Sequence, residues 1–342
     1  MKAIGLLSGG LDSALALKII RDMGVEVVAV KFTSPLFQCD PDTGNDCHAS
    51  RVARELGLEF VKIPKGEVFI DVVRHPKHGY GSAINPCIDC HTFMLKLAKE
   101  YMEKTGASFL ITGEVLNQRP MSQHRRAMDM IEREAGVAGL LVRPLSAKLL
   151  PPSEPEKNGW IDREKLFAID GRSRRVQIDL AKKYGLKSFA SPAGGCLLTD
   201  RAFASRLRDL FRHMADAGFD DIAILKTGRH YRFNGDKAIC GKDRAECREL
   251  RARAKPGDLV FDPVSEKGAL VLLQQNKRGI AELGNCEIGK FPNSFDFAAA
   301  LTAAYADGDS EFVTVSAHEK NGATRELRVQ RRARDEFKFW KL

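Results

Sequence analysis

The sequence lacks any long apolar run. No stretch of its 342 residues approaches the roughly 18–20 consecutive apolar residues that a membrane-spanning helix needs. Met1 and Lys2 lead directly into the strand-like segment AIGLL, without the charged and apolar regions of a secretory signal. The sequence therefore predicts a cytoplasmic protein with no membrane partner.

Internal repeats and low-complexity tracts are also missing, which argues against a solenoid and against a disordered chain. Cysteine is sparse, with eight residues in the whole chain. In a cytoplasmic protein of this length, such a number does not predict a disulfide framework. We expect some of these cysteines to carry chemistry instead.

The length and the charge distribution limit the organisation of the chain. A single hydrophobic core rarely outgrows about 250 residues, so 342 residues predict two domains. The formal net charge is +9, with basic runs around Arg172, around Arg251 and at the C-terminus. Basic runs occur on solvated faces and on surfaces that bind polyanions, and the charge alone leaves both interpretations open.

Short apolar strands alternate with helical segments through the first half of the chain. Residues 3–7 and 25–32 have the pattern of buried strands, on either side of a helix from about Asp12 to Met23. The alternation predicts an α/β fold with an open, doubly wound parallel sheet that binds ligands at the carboxyl ends of its strands. It continues with predicted helices at 45–57 and 92–104 and predicted strands at 59–63, 108–112 and 140–145.

The second half of the chain has a different pattern. A proline-rich linker at 148–160, a helix at 172–186 and a loop at 191–200 lead into shorter strands and turns. Predicted strands DLVFDP, GALVLL, EFVTVS and ELRVQR flank an alanine-rich helix. We predict a first domain over 1–200, a connecting helix over 201–220 and a smaller α+β domain over 221–342.

The most specific motif is SGGLDS at residues 8–13, where the first strand turns into the first helix. Consecutive backbone N–H groups at a helix N-terminus favour an anion, and glycine lets it approach closely. A plain turn with a helix cap contains the same residue types. The spacing is neither that of the Walker A loop nor that of the dinucleotide motif Gly-x-Gly-x-x-Gly. The motif predicts a phosphate-binding loop of another kind.

This loop resembles the pyrophosphate-binding loop (PP-loop) of the ATP pyrophosphatases, whose pattern SGGxDS it matches at each fixed position. The resemblance implies an adenine nucleotide α-hydrolase-like fold that cleaves ATP between the α and β phosphates and adenylates a carbonyl oxygen. It implies that Ser8, Gly9, Gly10 and Ser13 hold pyrophosphate and that Asp12, a catalytic residue, helps to place Mg²⁺. The remaining ATP-binding residues that it implies are Phe32, Thr112 and Gly113.

Segments further along resemble two families of tRNA thiolases. INPCIDCH at 84–91 resembles the PNPDxxCN segment of tRNA 2-thiouridylases, with Cys90 on the catalytic cysteine and Cys87 in place of the aspartate. TGEVLNQRPMSQ at 112–123 resembles the TGExLxQxxSQ segment of tRNA 4-thiouridine synthetases, with one extra residue before the final pair. Cys196 occupies the place of the second, distant cysteine of both families. The resemblance covers about residues 1–200 and implies that the three cysteines are catalytic.

Three interpretations of Cys87, Cys90 and Cys196 are open at this point. The Cys-x2-Cys pair is half of a structural zinc site. Alternatively, Cys90 carries a persulfide sulfur and Cys196 resolves it. In the third interpretation, the three cysteines hold a [4Fe–4S] cluster with one iron open to sulfide. A cysteine rather than an aspartate at position 87 favours this interpretation. The other cysteines are interpreted as structural or incidental: Cys39, Cys47, Cys240, Cys247 and Cys286.

Several basic residues are candidates for contacts with tRNA phosphates. The tail segment EFKFWKL also mixes basic and aromatic residues, which suits looped RNA, although a half-buried edge strand has the same alternation. The segment from residue 221 resembles the RNA-binding domain of the NFACT proteins in its order of strand, turn, helix and strand. The predicted tRNA contacts are Arg172, Arg174, Arg175, Arg331 and Arg332.

These resemblances imply an ATP-dependent tRNA sulfurtransferase that uses ATP, Mg²⁺ and either a [4Fe–4S] cluster or a cysteine persulfide. Its partners would be tRNA and a sulfur donor, either sulfide or the persulfide of a cysteine desulfurase. A small-molecule sulfur transferase or an amide-forming ligase on the same loop is the first alternative, and a non-catalytic RNA-binding factor is the second. The sequence leaves open the thiolated position and the oligomeric state, a dimer included.

Overall fold

The computed structural model describes residues 1–36, 47–190, 196–275, 291–319, 322 and 324–342. The chain divides into two compact units, Met1–Asp200 and Arg201–Leu342. Each unit contains its own sheet and its own buried apolar cluster. Among the described residues, no helix combines the length and the apolar character that a membrane crossing requires.

The N-terminal unit is built on a five-stranded parallel sheet with the strand order β3-β2-β1-β4-β5. The order reverses between β1 and β4, and ligands in doubly wound folds bind outside the carboxyl ends of the strands at such a point. This arrangement confirms the predicted α/β fold. The strands are β1 (Lys2–Leu6), β2 (Glu26–Thr33), β3 (Glu59–Pro64), β4 (Phe109–Ile111) and β5 (Leu141–Val142).

Helices cover both faces of this sheet. Those that contain residues 11–21, 48–55 and 175–183 pack on one face, and those that contain residues 87–105 and 125–135 pack on the other. Burial on both faces explains why β2 is apolar along most of its length. The helices are α1 (Leu11–Arg21), α2 (His48–Glu55), α3 (Val68–Arg74), α4 (Cys87–Thr105), α5 (Arg125–Ala135), α6 (Glu154–Lys157) and α7 (Arg175–Lys183).

Helix α4 begins five residues earlier than the sequence pattern predicts, at Cys87 rather than at residue 92. Pro86 is its N-cap, where the missing N–H of proline costs no helical hydrogen bond. The helix ends at Gly106, which has a φ of 67°. As a result, Cys87 and Cys90 lie in the first turn of a helix, three residues apart and on neighbouring positions of its surface.

The C-terminal unit contains a six-stranded sheet with the order β11-β10-β8-β9-β7-β6, in which each pair of adjacent strands is antiparallel. The alanine-rich helix α11 packs on one face and is buried along nearly its whole length. This arrangement confirms the predicted α+β class. The elements are α8 (Arg201–His213), α9 (Phe219–Ala223), β6 (Arg229–Phe233), β7 (Asp236–Cys240), α10 (Arg244–Arg253), β8 (Leu259–Pro263), β9 (Val271–Gln274), α11 (Ser294–Ala304), β10 (Phe312–Glu319) and β11 (Thr324–Gln330).

Helix α8, which lies in the predicted connecting segment, packs on the C-terminal unit. Arg232 of β6 forms a two-pronged ion pair with Asp209 of α8, with 3.0 Å between Nε and Oδ1. Arg206 donates from Nη1 to the backbone oxygen of Leu225 at 2.8 Å. These contacts fix α8 to the sheet of its own unit.

An aromatic cluster forms the centre of the C-terminal unit. The ring of Phe297 stacks on Phe233, with centroids 4.6 Å apart, and meets Phe337 and Trp340 at 5.5 Å each. The last two rings come from a 3-10 helix at Arg334–Trp340, so the edge-strand interpretation of EFKFWKL is wrong for these residues. In a 3-10 helix, residues three apart lie on the same side, so Phe337 and Trp340 both point into the cluster. In a strand, residues three apart would point to opposite faces. Only Lys341 makes a β-bridge, to Tyr231.

We predict that Phe297→Ala destabilises the C-terminal unit by about 3–5 kcal/mol, because Phe297 is fully buried and its removal leaves a large cavity. Urea unfolding followed by circular dichroism measures the effect. Phe339→Ala is the matched control, since that ring is 84% exposed and its loss should change the free energy of unfolding by less than about 0.5 kcal/mol. Equal effects of the two substitutions would contradict the packing described here.

Candidate active site

The loop between β1 and α1 is shaped for an anion. Gly9 has a φ of 90°, and a Cβ on it would lie 2.7 Å from the backbone nitrogen of Ala49, so the position requires glycine. The hydroxyl groups of Ser8 and Ser13 lie 3.0 Å apart and close the loop. Gly10 is the N-cap of α1 and supplies no side-chain cap, so the first N–H groups of the helix remain available to a ligand.

Gly113, which follows β4, packs directly on the start of α1. A Cβ at this position would lie 2.4 Å from the backbone nitrogen of Ser13 and 2.5 Å from the carbonyl carbon of Asp12. Only glycine allows so close an approach of two backbone segments. Through this contact, the segment after β4 fixes the position of the anion-binding loop.

Asp12 is the acidic group of the loop. Its Oδ2 accepts a hydrogen bond from Gln118 Nε2 at 3.2 Å, and Arg174 Nη2 lies 3.7 Å from the same oxygen. Burial raises the pKa of Asp12, while the charge of Arg174 and the hydrogen bond from Gln118 act in the opposite direction. Its Oδ1 is buried and accepts no hydrogen bond from the described residues. A carboxylate oxygen in this state, beside a phosphate loop, suits a divalent cation such as Mg²⁺.

The three arginines of the run at 172–175 are not equivalent. Arg174 reaches Asp12, as described, and its side chain is 29% exposed. Arg172 and Arg175 are exposed to solvent. The structure therefore places one of these three predicted RNA contacts at the anion-binding loop and leaves the other two on the surface.

Cys90 lies beside a buried lysine. Lys65 follows β3, is 3% exposed, and donates from Nζ to Cys90 Sγ at 3.1 Å. The same Nζ lies 3.8 Å from the ring centroid of Phe69 on α3. An ammonium group over an aromatic face is attracted by the negative charge of the ring face, which helps to fix its position.

Cys196 joins these groups from a distant part of the chain. The backbone nitrogen of Ile84 donates to the oxygen of Leu198 at 3.1 Å, and this bond holds the segment of Cys196 against the segment that precedes α4. Burial raises the pKa of the Cys196 thiol to about 12, and negative charge on Cys90 and Cys87 acts in the same direction.

Lys65 responds to the three sulfur atoms together. Burial lowers its pKa, and negative charge on Cys90, Cys196 and Cys87 opposes that shift. We call Lys65 and these three cysteines the sulfur pocket. Within the described ranges, no three His, Cys, Asp or Glu side chains are placed to hold a single metal ion.

A buried ion network supports the other side of Cys87. His91 Nδ1 donates to Glu114 Oε1 at 2.9 Å, and Arg143 Nε donates to Glu114 Oε2 at 2.8 Å. Arg143 also pairs with Glu132. Burial would raise the pKa of Glu114, but Arg143 and His91 hold it well below its usual range. Burial would lower the pKa of His91, but Cys87 and Glu114 raise it to about 10. The imidazole is therefore protonated at neutral pH.

This network makes Cys87 an acidic thiol. Its Sγ lies 3.2 Å from Ser122 Oγ and is in hydrogen-bond contact with it. Burial alone would raise the pKa of Cys87, but His91, Ser122 and Arg119 together lower it to about 7. About half of this thiol is therefore ionised near neutral pH, which is the state that binds metals and attacks electrophiles.

The segment at 112–123 contacts both the anion-binding loop and the sulfur pocket. Gly113 and Gln118 touch Asp12, as shown above. Ser122 contacts Cys87, and the charge of Arg119 acts on both Asp12 and Cys87. The loop and the pocket thus belong to one site at the carboxyl edge of the sheet.

Sequence reasoning did not single out several residues of this site. Lys65 directly follows β3, and the rule that ligands bind at the carboxyl ends of strands could have found it. Arg143, which directly follows β5, continues the resemblance to the tRNA 4-thiouridine synthetases, but no local pattern shows its pairing with Glu114. His91 follows the Cys-x2-Cys pair, but nothing in the local pattern shows that it would meet Glu114. Arg119 lies within the segment that the thiolase resemblance covers.

The remaining cysteines lie outside the site or outside the described residues. Cys47 is the N-cap of α2, Cys240 is fully buried in the second core, and Cys247 is half-buried on α10. All six cysteines of the described part of the chain are free thiols. Cys39 and Cys286 lie outside the described residues.

The two arginines predicted near the C-terminus have contacts within their own unit. Arg331 donates to the backbone oxygens of Ser310 and Ala306 at 2.8 Å each, and it pairs with Glu266. Arg332 lies 4.9 Å from the ring centroid of Phe291. Their roles in RNA binding remain predictions, as does the likeness of this unit to the NFACT RNA-binding domain.

The five-stranded doubly wound sheet, with an SGGxDS loop at its switch point, is the arrangement that the resemblance to the PP-loop ATP pyrophosphatases predicts. Residues 1–147 match the family described as Thiamine biosynthesis protein (ThiI). This match, together with the tRNA thiolases among the curated relatives, confirms the predicted resemblance for this part of the chain.

Two curated relatives illustrate the match. The chain is 27% identical over 140 residues to the tRNA-specific 2-thiouridylase MnmA of Thermus thermophilus, covering 34% of this chain and 36% of that protein. It is 32% identical over 121 residues to a probable tRNA sulfurtransferase of a Thermoanaerobacter species, covering 34% of this chain and 30% of the relative. The chain thus matches less than half of the length of these relatives.

A solved structure of a 4-thiouridine synthetase–RNA complex with bound ATP is similar over 66% of this chain and 52% of the other. The TM-score is 0.37 and the sequence identity is 20%.

We predict that Arg174→Ala weakens the binding of ATP about tenfold, because it removes a positive charge from the phosphate loop. Equilibrium dialysis with labelled ATP and Mg²⁺ measures the affinity. Arg172→Ala and Arg175→Ala are matched controls from the same basic run and should leave the ATP affinity within twofold of the original value. Equal losses in all three variants would contradict the placement of Arg174 at Asp12.

We also predict that, in metal-free protein carrying Cys90→Ser, alkylation of Cys87 reaches half its maximal rate near pH 7, since only the thiolate reacts. His91→Gln removes the cation that stabilises the thiolate, so the midpoint should rise towards the ordinary thiol value of 9.0. Peptide mapping by mass spectrometry measures the rates. His78→Gln, whose imidazole pairs with Glu134 instead, is the control. A midpoint that His91→Gln leaves unchanged would disprove the proposed pairing.

Proposed function

We propose that the protein is an ATP-dependent tRNA sulfurtransferase that replaces a carbonyl oxygen of a uridine by sulfur. The observation that supports this proposal is the segment at 112–123, which contacts both the PP-loop and the three-cysteine sulfur pocket. An enzyme that activates an oxygen with ATP and then displaces it with sulfur needs these two functions side by side. The thiolases among the relatives act on tRNA according to their names.

The first half of the proposed reaction takes place at the PP-loop. The N–H groups at the start of α1 and the hydroxyls of Ser8 and Ser13 bind the phosphates of ATP. Oδ1 of Asp12, which accepts no hydrogen bond from the described residues, would hold Mg²⁺ when the ion is bound. The uridine carbonyl oxygen attacks the α-phosphorus, the bond to the β-phosphate oxygen breaks, and pyrophosphate leaves with its electron pair. The product is a uridine adenylate.

The second half takes place at the sulfur pocket. A sulfur nucleophile attacks the activated carbon, the carbon–oxygen bond breaks, and AMP leaves with the former carbonyl oxygen. Arg119, whose positive charge acts on both Asp12 and Cys87, would stabilise the negative charge that develops on the departing phosphate. The protonated His91 stabilises the thiolate form of Cys87, so that about half of this thiol is ionised near neutral pH.

We propose Cys87, Cys90 and Cys196 as ligands of a [4Fe–4S] cluster. The donor set fits such a group, because Cys90 contacts the ammonium of Lys65 and negative charge on Cys87 and Cys196 also interacts with that ammonium, which offsets thiolate charge. A cluster distributes its ligands over different irons, so the thiols need not converge on one point. When bound, it would supply an iron with an open position for sulfide. A persulfide on Cys90, resolved by Cys196, is the alternative chemistry for the same residues.

The tRNA contacts that we propose are the exposed Arg172 and Arg175, which extend from the same segment as Arg174. Arg331 and Arg332 remain candidates on the second unit, although the guanidinium of Arg331 already makes several internal contacts. The proposed sulfur donor is sulfide or the persulfide of a cysteine desulfurase.

The test is nucleoside analysis by mass spectrometry of unmodified tRNA incubated without oxygen with the protein, ATP, Mg²⁺ and sulfide. We expect thiouridine from the original protein, at least 100-fold less from Cys90→Ser and Asp12→Asn, and AMP in equal amount to thiouridine. Cys47→Ser is the matched control, because that thiol caps α2 outside the sulfur pocket, and it should retain activity.

Two outcomes would overturn the proposal. Folded protein that binds ATP but yields no thiouridine would exclude tRNA thiolation with sulfide as the donor. Full activity of Cys90→Ser with ammonia and a carboxylate substrate would identify an amide-forming ligase instead.

A further inference from the structure

Lys65 occupies a position that is unusual for a lysine. It is 3% exposed, and its long side chain ends between Cys90 Sγ and an aromatic ring. Phe69, below the ammonium, is itself fully buried and packs against Phe93 with ring centroids 5.4 Å apart. The ammonium group is therefore held in place by packing on one side and by Cys90 on the other.

Burying an ammonium group is costly unless a negative charge compensates for it. Negative charge on the three thiols, or on a group bound to them, contributes to that compensation. His91 and Arg119 act on Cys87, and Glu114 already pairs with His91. The ammonium of Lys65 instead donates to Cys90. The two cations that act on Cys87 thus differ from the one that contacts Cys90.

We propose that Lys65 is a positioning residue that binds the anionic sulfur held at the sulfur pocket before transfer. This inference rests on the proposed function, because it takes the three cysteines as the sulfur site. The recognised chemistry is a negatively charged sulfur next to Cys90. A sulfide bound to a cluster and a terminal persulfide on Cys90 both carry such a negatively charged sulfur. Lys65 itself forms no covalent bond and transfers no proton in this role.

The first experiment measures the local charge in metal-free protein and does not depend on activity. Cys90 is alkylated with iodoacetate, an anion, and with iodoacetamide, which is neutral, at one fixed pH. The ratio of the two rates reports the electrostatic attraction, because the thiolate fraction is common to both reagents. We expect Lys65→Met to lower this ratio about tenfold and Lys65→Arg to restore it.

Lys62→Met is the matched control, since Lys62 lies on β3, three residues before Lys65. It should leave the ratio unchanged. Lys65→Gln is a second neutral variant if Lys65→Met unfolds, and ATP affinity verifies that the PP-loop is intact in each variant. A ratio in folded Lys65→Met equal to that of the original protein would overturn the inference.

The second experiment uses protein loaded with ferrous iron and sulfide, or with persulfide sulfur from a cysteine desulfurase. Iron content, reduction potential and cyanide-reactive sulfur are measured in the original protein, Lys65→Met and Lys62→Met. We expect Lys65→Met to shift the potential to a more negative value or to lose at least half of the bound sulfane sulfur. Unchanged values in a loaded Lys65→Met protein would overturn the inference while the proposed function stands. If the unsubstituted protein takes up neither iron nor persulfide sulfur, both this inference and the proposed function lose their basis.

Discussion

The close packing of Gly113 on the start of α1 is the constraint on which the site depends. The two backbone segments, which follow β4 and β1 respectively, approach so closely that a single Cβ on Gly113 would separate them. The contact joins the nucleotide loop to the segment at 112–123, and that segment then carries Gln118 to Asp12 and Ser122 to Cys87. The geometry of activation and the geometry of sulfur delivery are therefore set by one backbone contact rather than by independent loops.

Buried charge makes up most of the rest of the site. Arg143, Glu114, His91 and Cys87 form a chain in which each member compensates for the charge of the one before it. In a weakly polar interior, such groups are stable only as a complete set, because removing one member leaves its neighbour charged and unpaired. Lys65 lies on the opposite side of the pocket, beside Cys90. This division gives the two cysteines of one helical turn different electrostatic surroundings.

Much of the fold could be predicted from the sequence, because local patterns determine it. The alternation of strands and helices indicates the parallel sheet, and SGGLDS identifies its anion-binding loop. Contacts between distant elements leave no local pattern, so the sequence does not predict the roles of Lys65 and His91. The basic run at 172–175 predicts RNA contacts, but it does not show that Arg174 lies 3.7 Å from Asp12, because that position depends on the packing of α7 on α1. The sequence pattern predicts the start of α4 too late, at residue 92 instead of Cys87, because the Cys-x2-Cys pair is typical of a loop that precedes a helix.

The central claim is that the oxygen of a uridine leaves with AMP and that sulfur from the cysteine pocket takes its place. Isotope transfer tests it most directly, with tRNA transcripts that carry ¹⁸O at either the C2 or the C4 oxygen of uridine. The account predicts that one of the two transcripts gives AMP heavier by one ¹⁸O, in equal amount to the thiouridine formed. Thiouridine formed from both transcripts without ¹⁸O in AMP would contradict adenylation of the carbonyl oxygen.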